Sequence, residues 1–527
     1  MGKHKIISSL HSKVWYIGVG ACVGAVAGVI VSLFRMSISH ILSWVVSVYQ
    51  VMQYQPLWLL AWIPLTIAVG LLLGQLVKKN PNIKGSGIPQ VELHIQGKLP
   101  LNWWMDLWQK FVGGLLSIGS GLLLGREGPS IQLGASVGQG FAKVLHEPRS
   151  QENVLISSGA GAGLAAAFNA PIAGLMFVLE EVHHTFSPIV AVTTLTAAVV
   201  SNFVAQTIFG VAPALSLVNN QRFPLRFYGY IIGLGIFLGF AGWLYQRNTV
   251  ALKKIFAKAL PKVPNYYYGI ISMLAIIPLG ILRPDFLGGG GELILELVEG
   301  NPTISFLMLL FIVRFIFSMV SYGSGLPGGI FLPILSLGAI LGLIYGKIVI
   351  TYCGVPEEFL VSFVFFAMAG YFASIGKAPL TALLLVTEMV GGLNQLMPLG
   401  ICTLSAFIVA DLLRVEPIYE KLAEQITGEH MGHKEGRRTT FEVPIFVESP
   451  LVGKQIKEIA WPKEVILATI RRGAVEEIVK GDVVLQPGDI LVAVTDKGII
   501  AAMYDELEYL VKYGVPRMTS RTKNLNS

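Results

Sequence analysis

Apolar residues run along most of this chain in two kinds of stretch. Residues 15–31 and 58–76 are near-continuous apolar runs, approaching the ~20 residues a helix needs to cross a bilayer. Later runs are shorter, rich in glycine and cut by Pro129, Pro171, Pro333 and Pro379. Such breaks are tolerated at membrane depth only where the backbone is buried in protein or lines a cavity. The pattern therefore predicts several spanning helices around a set of broken ones. Small residues four apart, as in Gly134 with Gly138 and Gly159 with Gly163, allow helices to approach closely. A polar, lysine-bearing stretch at 78–110 interrupts this regime and holds the turn Gly85-Ser86-Gly87-Ile88-Pro89. Beyond residue 440 the period changes. Short β-branched runs (EVPIFV, VILATI, EEIV, DILVAV) alternate between 441 and 496, with a turn at Pro487-Gly488-Asp489. That is the signature of a small β-rich domain, and a helix is expected near 454–460.

One stretch is written twice. Residues 119–138 read GSGLLLGREGPSIQLGASVG, and 204 positions later residues 323–342 read GSGLPGGIFLPILSLGAILG, identical at ten of twenty positions without a gap. A second echo follows in order: Ala170-Pro171 leads to Glu180, and Ala378-Pro379 leads to Glu388 at the same distance. Two matches in the same order imply an internal duplication, with halves at about 15–210 and 226–425. Duplicated membrane halves place their site at the repeat interface, where broken helices present backbone groups. The largest chemical departure inside the repeat is Arg126-Glu127, replaced by Ile330-Phe331 in the second copy. A carboxylate facing an aromatic suggests a gate and a wall around one shared site.

Composition sharpens the division. The 527 residues are 53% hydrophobic and only 13% charged, against ~25% charged in soluble domains. Of 39 basic and 32 acidic residues, 28 lie in the last 100 positions, 14 of each sign. The chain therefore reads as an all-α polytopic membrane protein with an internal repeat, carrying a small α+β domain as a soluble tail. The expected boundaries are 1–427 for the membrane part, 428–440 for a linker, 441–512 for the second domain and 513–527 for a polar tail. The whole +7 excess belongs to the membrane part, where basic residues near membrane ends set orientation, and it gives no argument for nucleic acid. Lys3, Lys5 and Lys13 precede the first apolar run without a small-residue cleavage motif, so the N-terminus reads as retained and cytoplasmic. Cys22, Cys353 and Cys402 lie in apolar surroundings and are expected to be small buried hydrophobes. His430 and His433 fall in the linker and read as solvated. No metal-ligand spacing, nucleophile–base pair or phosphate loop stands out, which argues against an enzyme, and no cofactor is expected.

Taken together, GSGIP at 85–89, GREGP at 125–129, GGIFLP at 328–333, AAAFNAPIAGLMFVLEE at 165–181 and the late Tyr419 resemble the CLC family of chloride channels and chloride/proton exchangers, over about residues 15–425. The resemblance implies a helical homodimer in the cell membrane, each subunit with its own pathway between inverted halves. The motifs also make physical sense. Glycine-rich turns that open helices offer backbone N–H groups and the positive end of a dipole to an anion without a fixed cation.

The resemblance assigns chloride binding to Ser86, Tyr419 and the amides of Ile330 and Phe331. Alone, Ser86 reads as a helix cap and Tyr419 as an interfacial aromatic. Glu127 takes the place of the gate. An ionised carboxylate inside a bilayer costs at least ~2.5–3.5 kcal/mol. Charged, it can occupy the anion's own position; protonated, it can swing away. Its bland alternative is a salt bridge to Arg126. Glu180 and Glu181 are consecutive and so face different sides of a helix. Glu180 has a duplicate and reads as structural. Glu181 has none, Met389 standing in its place, and the resemblance makes it the internal proton-transfer glutamate. His183 and His184 beside it relay protons, bind metal or simply end a helix in solvent, the last being the plainer reading.

The end of the chain, SPLVGKQIKEIAWPKEVILATIRRG at 449–473 with QPGDIL at 486–491, is similar to the RCK_C (TrkA-C) regulatory module. This implies dimerisation and a small cytosolic ligand, to which Arg471 and Arg472 are candidate contacts. The expected function is exchange of chloride for protons. Its rivals are a passive chloride channel on the same fold, a sensor that conducts little, and a fluoride- or nitrate-preferring relative, against which Ser86 favours chloride.

Overall fold

The computed structural model describes residues 2–215, 222–428, 438–473, 475–496 and 500–515. The chain divides into two compact units, Met1–Gly428 and Glu429–Ser527. In the first unit the first half comprises α1 (Gly2–Tyr54), α2 (Leu59–Lys79), α3 (Ile88–Ile95), α4 (Trp103–Gly119), α5 (Glu127–Val144), α6 (Arg149–Phe168), α7 (Pro171–Phe177) and α8 (Pro188–Phe209). The second half comprises α9 (Tyr228–Ala259), α10 (Tyr268–Ala275), α11 (Ile277–Leu282), α12 (Gly291–Gly300), α13 (Ile304–Gly323), α14 (Phe331–Cys353), α15 (Leu360–Gly376), α16 (Pro379–Val390), α17 (Leu396–Leu412) and α18 (Ile418–Thr427). Among the described residues, eight helical segments are long and apolar enough to span a bilayer. The chain is a multi-pass membrane protein.

The two apolar regimes become two helix classes. Outer helices are long: the apolar part of α1 runs over 41 residues, about 60 Å at 1.5 Å per residue, so it must tilt steeply to match a ~30 Å hydrocarbon core. Inner helices are short or wholly buried. Most residues of α5, α6 and α15 and the first half of α14 are buried within the protein. Glycine makes this density possible. A Cβ at Gly134, Gly159 or Gly163 would run into backbone atoms of the facing helix, and one at Gly338 or Gly342 would press, less closely, on backbone atoms of α15.

The halves are joined by reciprocal contacts that respect the sequence offsets. Gly125 and Gly329, 204 positions apart, exchange both N–H···O bonds at 2.7 Å. Ser117 donates to the Pro327 carbonyl, and its counterpart Ser321 accepts from the amide of Leu123, the counterpart of Pro327. At the second echo, Glu180 accepts from the amides of Leu380 and Thr381 at 3.1 and 2.7 Å and from the Thr381 hydroxyl at 2.8 Å. Glu388 accepts from the amides of Ile172 and Ala173 at 3.0 and 2.8 Å. Each glutamate thus caps the proline-led helix of the other half, satisfying amides that have no intrahelical partner. Such swapped contacts are the mark of two-fold symmetry.

The second unit is a four-stranded antiparallel sheet in the order β1-β4-β2-β3, built of β1 (Arg438–Pro444), β2 (Ile466–Arg472), β3 (Val475–Ile478) and β4 (Ile490–Asp496). It is backed by α19 (Ile500–Tyr513), which buries Leu507, Leu510 and Val511. The four strands lie where the alternation placed them. The helix expected at 454–460 is only a 3-10 turn at Ile456–Glu458, opened by a capping box between Gln455 and Glu458. Two cysteines depart from expectation as well. Cys402 is buried, whereas Cys22 and Cys353 lie on the protein surface: in a membrane chain, apolar surroundings include the lipid face. His430 and His433 lie outside the described residues.

Candidate functional site

Four helix N-termini, two from each half, carry the residues singled out above. The turn before α3 places Gly87 at φ +92°, where a Cβ would also strike Gln132, so only glycine lets the chain enter the helix there. Ser86 is thereby buried against Gly128 in the first turn of α5: a Cβ on Gly128 would lie 2.8 Å from the Ser86 carbonyl oxygen. Lys110, fully buried on α4, donates to the carbonyls of Ile83 and Gly85 at 2.9 and 2.7 Å. Its ammonium is thus committed to the loop backbone. The Gly125–Gly329 pair sets the start of α5 beside the start of α14, so Ser86, Glu127, Ile330 and Phe331 fall within one small volume. Phe331 forms its wall, packed 4.2 Å from Phe372 and 5.4 Å from Phe168 between ring centroids.

Glu127 is completely buried, and its carboxylate is turned toward the backbone amides of Glu127 and Leu332 without a close side-chain donor. The Arg126 Nε lies 3.9 Å from Oε1, too far for a hydrogen bond, so the salt-bridge alternative is at best loose. Tyr419, in the first turn of α18, is buried with an unpartnered hydroxyl. It lies within electrostatic reach of both Glu127 and Glu181. A buried donor without a partner costs ~1–3 kcal/mol, so a hydroxyl left in this state fits a group that meets a transient anion.

Glu181 stands apart from this cluster, in a π-helical turn, Val178–Val182, that continues α7. It is buried, its Oε1 is unpartnered, and its charged neighbours are Glu92, Glu180 and Glu420. Such π turns recur at functional sites, and the bulge separates the aims of two consecutive glutamates: Glu180 reaches the other half, whereas Glu181 stays within the core. His183 and His184 are half-buried rather than solvated. His183 Nε2 lies 2.7 Å from the Ser157 hydroxyl.

Tyr322 was not anticipated from the sequence. It is the second-last residue of α13, and its hydroxyl reaches Ser86. The available signal was its place directly before the repeated GSG. A cavity of about 300 Å³ adjoins Ser86 and Tyr322 and is edged by Lys84, Gln90 and Lys253. A second, of about 350 Å³, opens beside Arg126, Leu332 and Glu292. The cluster is therefore approached by one cavity on the Ser86 side and another on the Arg126 side.

In the second unit Arg472 donates to both carboxylate oxygens of Asp489 at 2.8 and 2.9 Å, and Asp489 also accepts from the Gln486 amide. Arg471 pairs with Glu442. Both arginines are thus engaged within the sheet.

Residues 69–411 match the family described as "Voltage gated chloride channel", and 440–508 match the TrkA-C domain. The chain is 35% identical to an H(+)/Cl(-) exchange transporter ClcA of Vibrio parahaemolyticus, over 76% of this chain and 88% of that one. It is 31% identical to its Klebsiella pneumoniae namesake over 77% and 87%. A solved structure described as a slow cyanobacterial Cl-/H+ antiporter superposes with a TM-score of 0.74 at 32% identity, covering 79% of this chain and 98% of that one. With this agreement across both halves, the chain belongs to the voltage gated chloride channel family and carries a TrkA-C domain.

Proposed function

We propose that this protein exchanges chloride for protons across the cell membrane, with both termini cytoplasmic and with two copies forming a homodimer. The observation that carries this reading is the buried Glu127 carboxylate at the opening of α5, facing backbone amides of helix N-termini drawn from both halves. Each such terminus contributes ~0.3–1 kcal/mol to an anion when exposed and up to ~2 kcal/mol when partly buried. Several together hold chloride while letting it leave, as transport requires. Ser86 and Tyr419 donate hydroxyls, and the amides of Ile330 and Phe331 donate from α14. Lys110 does not bind the anion, since its ammonium is spent on the loop.

Glu127 competes with chloride while ionised and yields once it takes a proton, so one carboxylate couples the two ions. The proton reaches it by another way than the anion, because donors that attract chloride repel a cation. Glu181 supplies that way, with Tyr419 between the two carboxylates. The relatives named as exchangers support coupled exchange over a passive channel. The membrane domain ends near residue 427, and the domain from about 441 to 512 regulates it by binding a small cytosolic ligand.

Reconstituted vesicles under opposed chloride and pH gradients test this. The reversal potential is expected to shift with pH; a value fixed by chloride alone would make the protein a channel.

A further inference from the structure

Beside the proton-transfer candidate lies a group of ligands that the exchange reaction does not use. Glu92 on α3, His184 after the π turn and Glu420 on α18 bring one ligand atom each to within 4.8 Å of one another. His184 Nε2 lies 3.5 Å from Glu420 Oε1 and 3.8 Å from Glu92 Oε1. Ligand atoms of a tetrahedral site with bonds of ~2.1 Å stand about 3.4 Å apart, so small side-chain adjustments close this group around an ion. Three elements distant in sequence supply it, and Glu92 has an outer partner. Gln96 donates to Glu92 at 2.9 Å, the kind of outer support that orients a ligating carboxylate. His184 has a positive φ of 53°, an uncommon conformation for a residue other than glycine.

Two further observations point to a cation. His184 Nε2, the ring atom facing both carboxylates, makes no hydrogen bond. Glu181, only 4% exposed, leaves Oε1 unpartnered while interacting electrostatically with Glu92 and Glu420. Negative charge thus accumulates here in a nearly closed place, with Glu180 as a further acidic neighbour and no lysine or arginine ion-paired to Glu92 among the described residues. One imidazole with two carboxylates suits zinc and its transition-metal neighbours, whereas magnesium and calcium prefer oxygen alone. The fourth position remains for water, since His184 and Glu420 retain side-chain exposure of 20% each.

We propose that Glu92, His184 and Glu420 form a regulatory site for a divalent transition cation, best fitted by zinc, whose occupation blocks proton entry to Glu181. The blocking half rests on the proton role given to Glu181; the binding half does not. A dipositive ion this near disfavours a proton arriving at Glu181.

Full-length protein in detergent is titrated calorimetrically with zinc, with magnesium as the comparison. One saturable zinc site per chain is expected, with affinity reduced by about 10–100-fold in His184→Gln and in Glu420→Gln. Using two variants guards against one that fails to fold, and the melting temperature of each is checked. No saturable binding, or wild-type affinity in both folded variants, overturns the site. In vesicles, zinc on the His184 side should slow chloride-driven proton movement in the wild type but not in His184→Gln. Zinc bound with proton movement unchanged overturns the block. A wild type that moves no protons even without zinc strikes the exchanger reading instead, and the calorimetric result still decides the site.

Discussion

Glu180 and Glu181 are adjacent and chemically identical, yet the fold gives them opposite surroundings. Glu180 accepts two amides and a hydroxyl from the other half, so Glu180→Gln removes charge from a cap. Hydrogen bonds to a charged group are worth ~1.5–3 kcal/mol each, and partial exposure reduces this, so a loss of about 1–3 kcal/mol is expected as a lower melting temperature with coupling retained. Glu181→Gln should do the reverse: chloride movement persists, stability is little changed, and coupled proton movement largely stops. Pumping at the wild-type proton-to-chloride ratio in that variant would place the relay elsewhere. Glu127→Gln should pass chloride without response to pH, measured as a reversal potential that follows chloride alone. The roles of Glu180 and Glu181 were separable in sequence only because one is duplicated and the other is not. Ser86, Glu127 and Tyr419 were legible as members of motifs. Tyr322 stands directly before the repeated GSG, but a tyrosine at the end of an apolar helix shows no role until the fold sets it against Ser86.

Among the elements, the pair α5 and α6 is the most demanding. Gly134 and Gly159 leave their helices in backbone contact, and α5 carries Glu127 at its start. Overpacking a tight core costs typically ~1–3 kcal/mol. Gly159→Ala should therefore lower the melting temperature and slow chloride flux together, the second because Glu127 moves with its helix; a flux unchanged in a destabilised variant would uncouple the two. In the second unit, burial raises the Asp489 carboxyl, but the hydrogen bonds from Arg472 and Gln486 outweigh it and hold the group below its ordinary range. A carboxyl depressed on folding contributes stability above its unfolded pKa of ~3.9 and loses it as the pH falls through the folded value. This unit should accordingly melt more easily below about pH 4, and Asp489→Asn should flatten that dependence while lowering stability at neutral pH, both read by circular dichroism. The strands were legible from alternation. The full reach of α1, Gly2–Tyr54, was not, because serine and histidine dilute its apolar pattern beyond residue 31. α19 was missed because its buried face, Leu507, Leu510 and Val511, is spread among acidic residues and tyrosines.

For the whole molecule, the division at Gly428 sets the membrane unit apart from the domain proposed to regulate it. Removing everything after Thr427 is expected to leave anion selectivity unchanged while altering the rate or its response to ligands, as bi-ionic reversal potentials report. Loss of selectivity in a folded truncation would contradict that separation. The membrane unit was readable as two halves because ten positions still repeat; that the halves complete each other was not, since partners 200 residues apart leave no local trace. The exchanged glutamate caps carry a consequence for ancestry. A lone half would contain a proline-led helix with bare amides and a carboxylate with nothing to cap, and an upside-down copy of itself would answer both needs. The exchanged caps therefore fit a doubled gene whose product paired with an inverted copy of itself about a two-fold axis before fusion joined the two in one polypeptide.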